Sequence, residues 1–127
     1  MEHIPQPKDY LHKIEILRLV AQQIEKDFGE ASLEIEITDK PEDTFPDILS
    51  QMADQIKGLI DFNPAKFFQL LYRIDLSENK IKKAITEDQR DANLVIAEQI
   101  LFREMHKVLF RLQYSNNPAH KALLNIK

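Results

Sequence analysis

Three groupings of side chains in this sequence have residue types and spacing that could do chemistry. The first is Leu-Tyr-Arg-Ile-Asp at positions 71–75, which sets the phenol of Tyr72, the guanidinium of Arg73 and the carboxylate of Asp75 within four residues. The second is Arg103, Lys107 and Arg111, a cation every four residues with Tyr114 near the end of the row. On a helix that spacing makes one slowly rotating stripe, able to hold a phosphate, an RNA backbone or an acidic partner helix. The same stripe could equally be a solvated face supported by Glu104–Lys107 pairing, or could dock against the acidic first half of its own chain. The third grouping is His12 and Glu15, three residues apart and able to reach one metal ion from a helix.

Metal and hydrolytic chemistry both lack their remaining parts. Helical di-metal sites use Glu-x-x-His on two helices with further glutamates, and no Glu-x-x-His occurs here. Glu104-Met105-His106 has its two ligand types two apart, on different sides of a helix, and His3 and His120 fall near the chain ends. The four serines include none in a Gly-x-Ser-x-Gly turn. No catalytic residue, metal ligand or cofactor is therefore assigned, and Tyr72, Arg73, Arg103, Lys107 and Arg111 stand as the candidate binding residues.

Composition narrows the classes further. Over 127 residues, 43% are hydrophobic and 30% charged, the balance of one globular domain. Two glycines leave little scope for phosphate-cradling loops or tight hairpins, and the absence of cysteine removes disulfides, thiolate zinc sites and cysteine nucleophiles. No basic-then-apolar leader opens the sequence, and no apolar run approaches the roughly 18 residues that span a bilayer, so a cytoplasmic protein is expected. The net charge of −4 divides unevenly: −8 over residues 1–63 and +4 over residues 64–127. The halves could pack together and neutralise each other, or the basic half could present an anion-binding face.

The elements that position these groups read as helices. After a proline-restrained arm at 1–7, Ile14, Leu17, Ala21, Ile24 and Phe28 recur at three- and four-residue steps. They predict a helix from about Lys8 to Asp27, closed by Gly29. Leu33, Ile35 and Ile37 alternate with Glu34 and Glu36, but no second segment alternates to pair with them. An extended segment packed along a bundle, or one paired with a second copy, is expected there. Thr44 with Asp47 predicts a second helix start, running to about Ile60. Asn63-Pro64 starts a third helix over about 64–75.

A short fourth helix spans about 77–85, its start capped by Asp75 with Glu78 or by Ser77, with Leu76 and Ile81 as a hydrophobic staple. Tyr72 flanks the buried face of Leu71 and Ile74, while Arg73 faces Glu78 or solvent. Thr86 and Gln89 form a capping-box pair for a fifth helix reaching about Tyr114, roughly 40 Å long. Its seam is Leu94, Ala97, Leu101, Met105, Val108 and Leu112, and further apolar residues widen it, as suits a central helix. Asn116-Asn117-Pro118 then leads into a short last helix or tail over 115–127.

The runs PAKFFQLLYRIDLSENKI and AEQILFREMHKVLFR resemble a small family of uncharacterised bacterial helical proteins, in which a Leu-Tyr-Arg-Ile-Asp helix end precedes a long helix bearing Arg-x-x-x-Lys. The resemblance covers about residues 64–111 and matches Tyr72, Arg73, Asp75, Arg103 and Lys107. It implies a shape and no activity.

The expected fold is all-α: a single bundle of five or six helices with an extended segment near 33–37. The leading functional expectation is a non-enzymatic interaction or regulatory domain that binds another protein or a second copy of itself. An anion or RNA binder using the basic stripe comes second, and an enzyme third. A helix-turn-helix over 64–100 is disfavoured because its recognition helix would open with Glu87, Asp88 and Asp91, facing phosphates with negative charge.

Overall fold

The computed structural model describes residues 5–29, 33–37 and 41–125. Among them there is no strand, and six α-helices pack into one bundle. They are α1 (Ile14–Asp27), α2 (Pro41–Phe62), α3 (Pro64–Arg73), α4 (Glu78–Glu87), α5 (Ala92–Gln113) and α6 (Pro118–Ala122), preceded by a 3₁₀ turn over Pro7–Tyr10. α5 lies at the centre, against α1, α2, α4, α6 and the 3₁₀ turn. Ile100, Leu101, Met105 and Val108 of α5 are wholly buried, as are Ile16, Leu17, Val20 and Ile24 of α1 and Met52 and Ile56 of α2. Phe45 of α2 stacks on Phe102 of α5 with ring centroids 5.9 Å apart. No helix among the described residues is long and apolar enough to cross a membrane.

Several helix ends depart from what the sequence predicts. α1 begins at Ile14 rather than Lys8 because the preceding residues form the 3₁₀ turn, which buries Pro7 and Tyr10. Gly29 does not close α1 in a left-handed turn, for no glycine has positive φ. Thr44 is not a cap: α2 starts at Pro41, carries Pro46 inside it and buries Thr44 completely. Pro41 suits a helix start, having no N–H to leave unpaired.

Thr86 does not cap α5. Its hydroxyl donates to the Lys82 carbonyl, which extends α4 to Glu87. The chain then turns through a clamp in which Arg90 bonds both Asp88, at 2.7 Å, and Glu98, at 2.8 Å. α5 starts at Ala92, between the two acids of that clamp, and its 22 residues make it about 33 Å long.

The junction after α3 settles the competition between caps. Ser77 accepts from the Lys80 N–H and is the N-cap of α4, and Leu76 and Ile81 on either side are buried. Asp75 does not cap. It is the one non-glycine residue with positive φ among those described, at 63°. Its N–H donates to the Tyr72 carbonyl and the next N–H, of Leu76, donates to the Leu71 carbonyl. That pair of bonds is the Schellman helix ending, with aspartate where glycine is commonest.

The alternating segment 33–37 finds an unusual partner. Leu33 and Ile35 are buried and Glu34 and Glu36 exposed. The carboxamides of Gln51 and Gln55, one turn apart on α2, take the place of a neighbouring strand. Gln55 accepts from the Glu34 N–H at 2.9 Å and donates to its carbonyl at 2.7 Å. Gln51 does the same for Glu36, both bonds at 2.8 Å. A primary amide carries the same donor and acceptor as a peptide group, so a helix can satisfy alternate residues of an extended chain. The two ends of the chain also meet: the Tyr10 hydroxyl donates to the Leu124 carbonyl at 2.8 Å, and Lys13 Nζ to the Asn125 carbonyl.

Two stability outcomes are expected in urea titrations. Gln51→Ala and Gln55→Ala should each lower unfolding free energy by about 1–2 kcal/mol, since each removes two hydrogen bonds to backbone. Gly58→Ala, where an added Cβ meets nothing within 4 Å inside α2, should raise it by about 0.5–1 kcal/mol.

Candidate functional site

The basic stripe on α5 is turned largely into the molecule. Arg103 Nε donates to the Ile74 carbonyl at the end of α3, at 2.8 Å, and its Nη2 lies 3.6 Å from Asp75. Lys107 Nζ stands 3.1 Å from Asp27 Oδ2, at the last residue of α1. Arg111 Nη1 bonds Gln23 Oε1 one turn earlier on α1, at 2.9 Å. Arg73 is exposed and does not pair with Glu78; its Nη1 donates to the Asp27 carbonyl at 3.2 Å. Cationic groups therefore meet the C-terminal ends of α1 and α3, where carbonyls without helical partners concentrate negative potential. Of the five positions that carry the sequence resemblance, Arg73, Asp75, Arg103 and Lys107 converge here.

Tyr72 is separate from this cluster. Expected to flank the core, its ring is instead 88% exposed, beside a hollow of 280 Å³ formed with Asp75, Leu76, Ser77 and Lys80. With α3 ending in a left-handed turn immediately after Ile74, the Tyr72 side chain has no neighbouring helix to cover it.

Glu104, for which the sequence suggests no role beyond pairing with Lys107, is the only buried acid among the described residues, at 0% exposure. Its position carried a signal: on a helical wheel it falls inside the apolar sector, between Ile100, Leu101 and Val108. Lys107 Nζ comes within 3.3 Å of Oε1, yet neither carboxyl oxygen has a hydrogen-bond donor aligned on it. Burial, then the neighbouring Asp27 carboxylate, push the Glu104 carboxyl up to about 8. Burial works against ionisation of Asp27 too, but hydrogen bonds from Glu104, Gln23 and Lys107 together hold it below the usual carboxylate range. Near neutral pH Glu104 thus favours its protonated form, beside an Asp27 that favours ionisation and pairs with Lys107.

Around the same helix, His106 faces outward between two hollows. One, of 340 Å³, is lined by Pro5, Arg103, His106, Lys107, Phe110 and Gln113. The other, of 190 Å³, is lined by Gln6, Pro7, Lys8, Phe102 and His106. Partial burial, with Arg103 and Lys80 nearby, lowers the His106 pKa. Among the described residues no group of three or more His, Cys, Asp or Glu is placed to hold a metal ion. His3, one of the histidines weighed for that role, lies outside the described residues.

No protein family, no curated protein and no solved structure is similar enough to this chain to count as a match.

The raised Glu104 carboxyl has a definite sign in stability. Between about pH 4.5 and 8 the unfolded chain has lost the Glu104 proton while the folded protein keeps it, so this group lowers stability as pH rises through that window. Asp27 acts oppositely and below that window, losing its contribution as pH falls through its depressed value. Glu104→Gln keeps the shape and supplies a neutral donor to Asp27. Chemical denaturation across pH 5–8.5 should show that variant gaining on wild type with rising pH, by at most about 1.4 kcal/mol per unit. Parallel curves for the two proteins would show that Glu104 does not hold a proton.

Proposed function

We propose that this chain is a non-enzymatic helical module that binds another protein through the aromatic edge of α3. The observation that carries this reading is the set of aromatic side chains left in water although the core beneath them is closed. Phe62, at the end of α2, is 91% exposed, Tyr72 is 88% exposed, and Phe68 lies one helical turn before Tyr72 on the same exposed side of α3. The inward half of α3, Phe67, Leu70 and Leu71, is buried, so the helix is anchored independently of its outer aromatics. Aromatic residues in water give a partner large apolar area at small entropic cost and are common at interface centres.

The charge arrangement supports the same reading over a catalytic one. Glu104, the carboxyl displaced furthest from its ordinary value, is sealed from solvent, so a substrate has no route to it. The stripe cations spend bonds on Asp27, Gln23 and the Ile74 carbonyl, as a scaffold does. Sequence-specific DNA binding fares poorly, since α5 opens at Asp91 within the Asp88–Arg90–Glu98 clamp.

A photo-crosslinking amino acid at position 72 tests the surface against one at exposed Lys57 on α2. Irradiation in cells should give a discrete adduct, hetero- or homomeric, from position 72 only, and Phe68→Ala should weaken it. Thermal unfolding of Tyr72→Ala should stay within about 0.5 kcal/mol of wild type, as for a surface change. Identical adducts from both positions would rule the α3 edge out as the contact.

A further inference from the structure

His106 sits beside a concentration of positive charge. Arg103 and Lys107 line the larger hollow beside it, and Lys8 lines the smaller one. No carboxylate lines either hollow among the described residues. The chain as a whole carries a net charge of −4, so three cations lining the hollows around one imidazole are a local excess and do not follow from composition. Asp75 and Asp27 pair with Arg103 and Lys107 from the ends of α3 and α1 and line neither hollow. Lys8, Lys80 and both ring nitrogens of His106 have no such partner among the described residues.

The walls add a second requirement. Pro5 and the exposed ring of Phe110 form an apolar side to the larger hollow, and Gln113 offers a neutral amide at its edge. At 340 Å³ the space is at the small end of the range for organic ligands. Convergent cationic donors suit a tetrahedral dianion better than a planar monoanion, because its oxygens can each meet a different donor. We propose that this hollow binds a small phosphate monoester bearing a flat apolar group, with Arg103, His106 and Lys107 around the phosphate, Lys8 in the adjoining hollow across His106, and Phe110 beneath the flat group. This is a site on α5 separate from the aromatic edge of α3, and it stands or falls independently of protein binding there.

Binding also sets the state of His106. In the free protein partial burial, with Arg103 and Lys80 nearby, disfavours the imidazolium, whereas a dianion in the hollow reverses that balance and draws a proton onto the ring. Proton NMR of the His106 ring, in the full chain, reads both events. Phenyl phosphate should shift it saturably, with a dissociation constant of about 0.1–1 mM, and should raise its pKa by about one unit.

Inorganic phosphate should bind several-fold more weakly, and Phe110→Ala should abolish the difference. Lys8→Gln, at an exposed position with no structural bond, should weaken phenyl phosphate about three- to tenfold. A Lys57→Gln control on α2 should change nothing. Shifts linear to about 10 mM, an unmoved His106 pKa, or equal affinity in Lys8→Gln and wild type would each overturn the assignment.

Discussion

The fold depends on one constraint: two helices, α1 and α3, bring their C-terminal ends to the same side of α5, and α5 must present cations there. A helix end concentrates partial negative charge on carbonyls that have no helical donor. Arg103 answers the end of α3 at the Ile74 carbonyl, Lys107 answers Asp27, and Arg111 reaches Gln23 a turn further back. Arg73 then links the two ends directly by donating to the Asp27 carbonyl. The four-residue step of the cations matches the pitch of α5, so one helix face holds both neighbours in register. The two unlike charges of the chain's halves meet at this line, an arrangement the sequence leaves among several.

That arrangement brings a cost into the core. Lys107 needs a counter-charge, and Asp27 supplies it, but Glu104 lies one turn earlier on α5 and shares the same enclosed space. Two carboxylates and one ammonium cannot all stay charged cheaply away from water. Retaining a proton on Glu104 resolves the conflict, and the helix–helix contact between α1 and α5 becomes a hydrogen-bonded seam in place of a simple ion pair. Outside this line the surface is freed for other uses: the aromatic edge of α3 on one side and the His106 hollows on the other.

Much of the architecture was legible where periodicity is long. The apolar steps of α1 and the Leu101–Met105–Val108–Leu112 seam of α5 could form nothing but buried helix faces, and Asn63-Pro64 and Ser77 start helices as their chemistry suggests. Short signals failed where two of them compete. Thr44 and Thr86 look like caps, yet one is buried inside α2 and the other bonds back into α4. The positions of the stripe cations were readable and their direction was not, because it depends on where α1 and α3 end in space. The partner of segment 33–37 was hidden for a related reason. Gln51 and Gln55 read as the polar face of a helix, and only the packing shows their amides standing in for a strand.

The contact between Tyr10 and Leu124 spans 114 residues of sequence. Because loop-closure entropy grows only logarithmically with chain length, so distant a contact is thermodynamically affordable once the bundle has assembled. Kinetically it is different, since it offers nothing until nearly every intervening element is in place. The seam between the 3₁₀ turn and the last residues is therefore the final piece to lock and the first to loosen. The hollows around His106 border this seam, which makes the closing of the chain ends also the step that completes their walls.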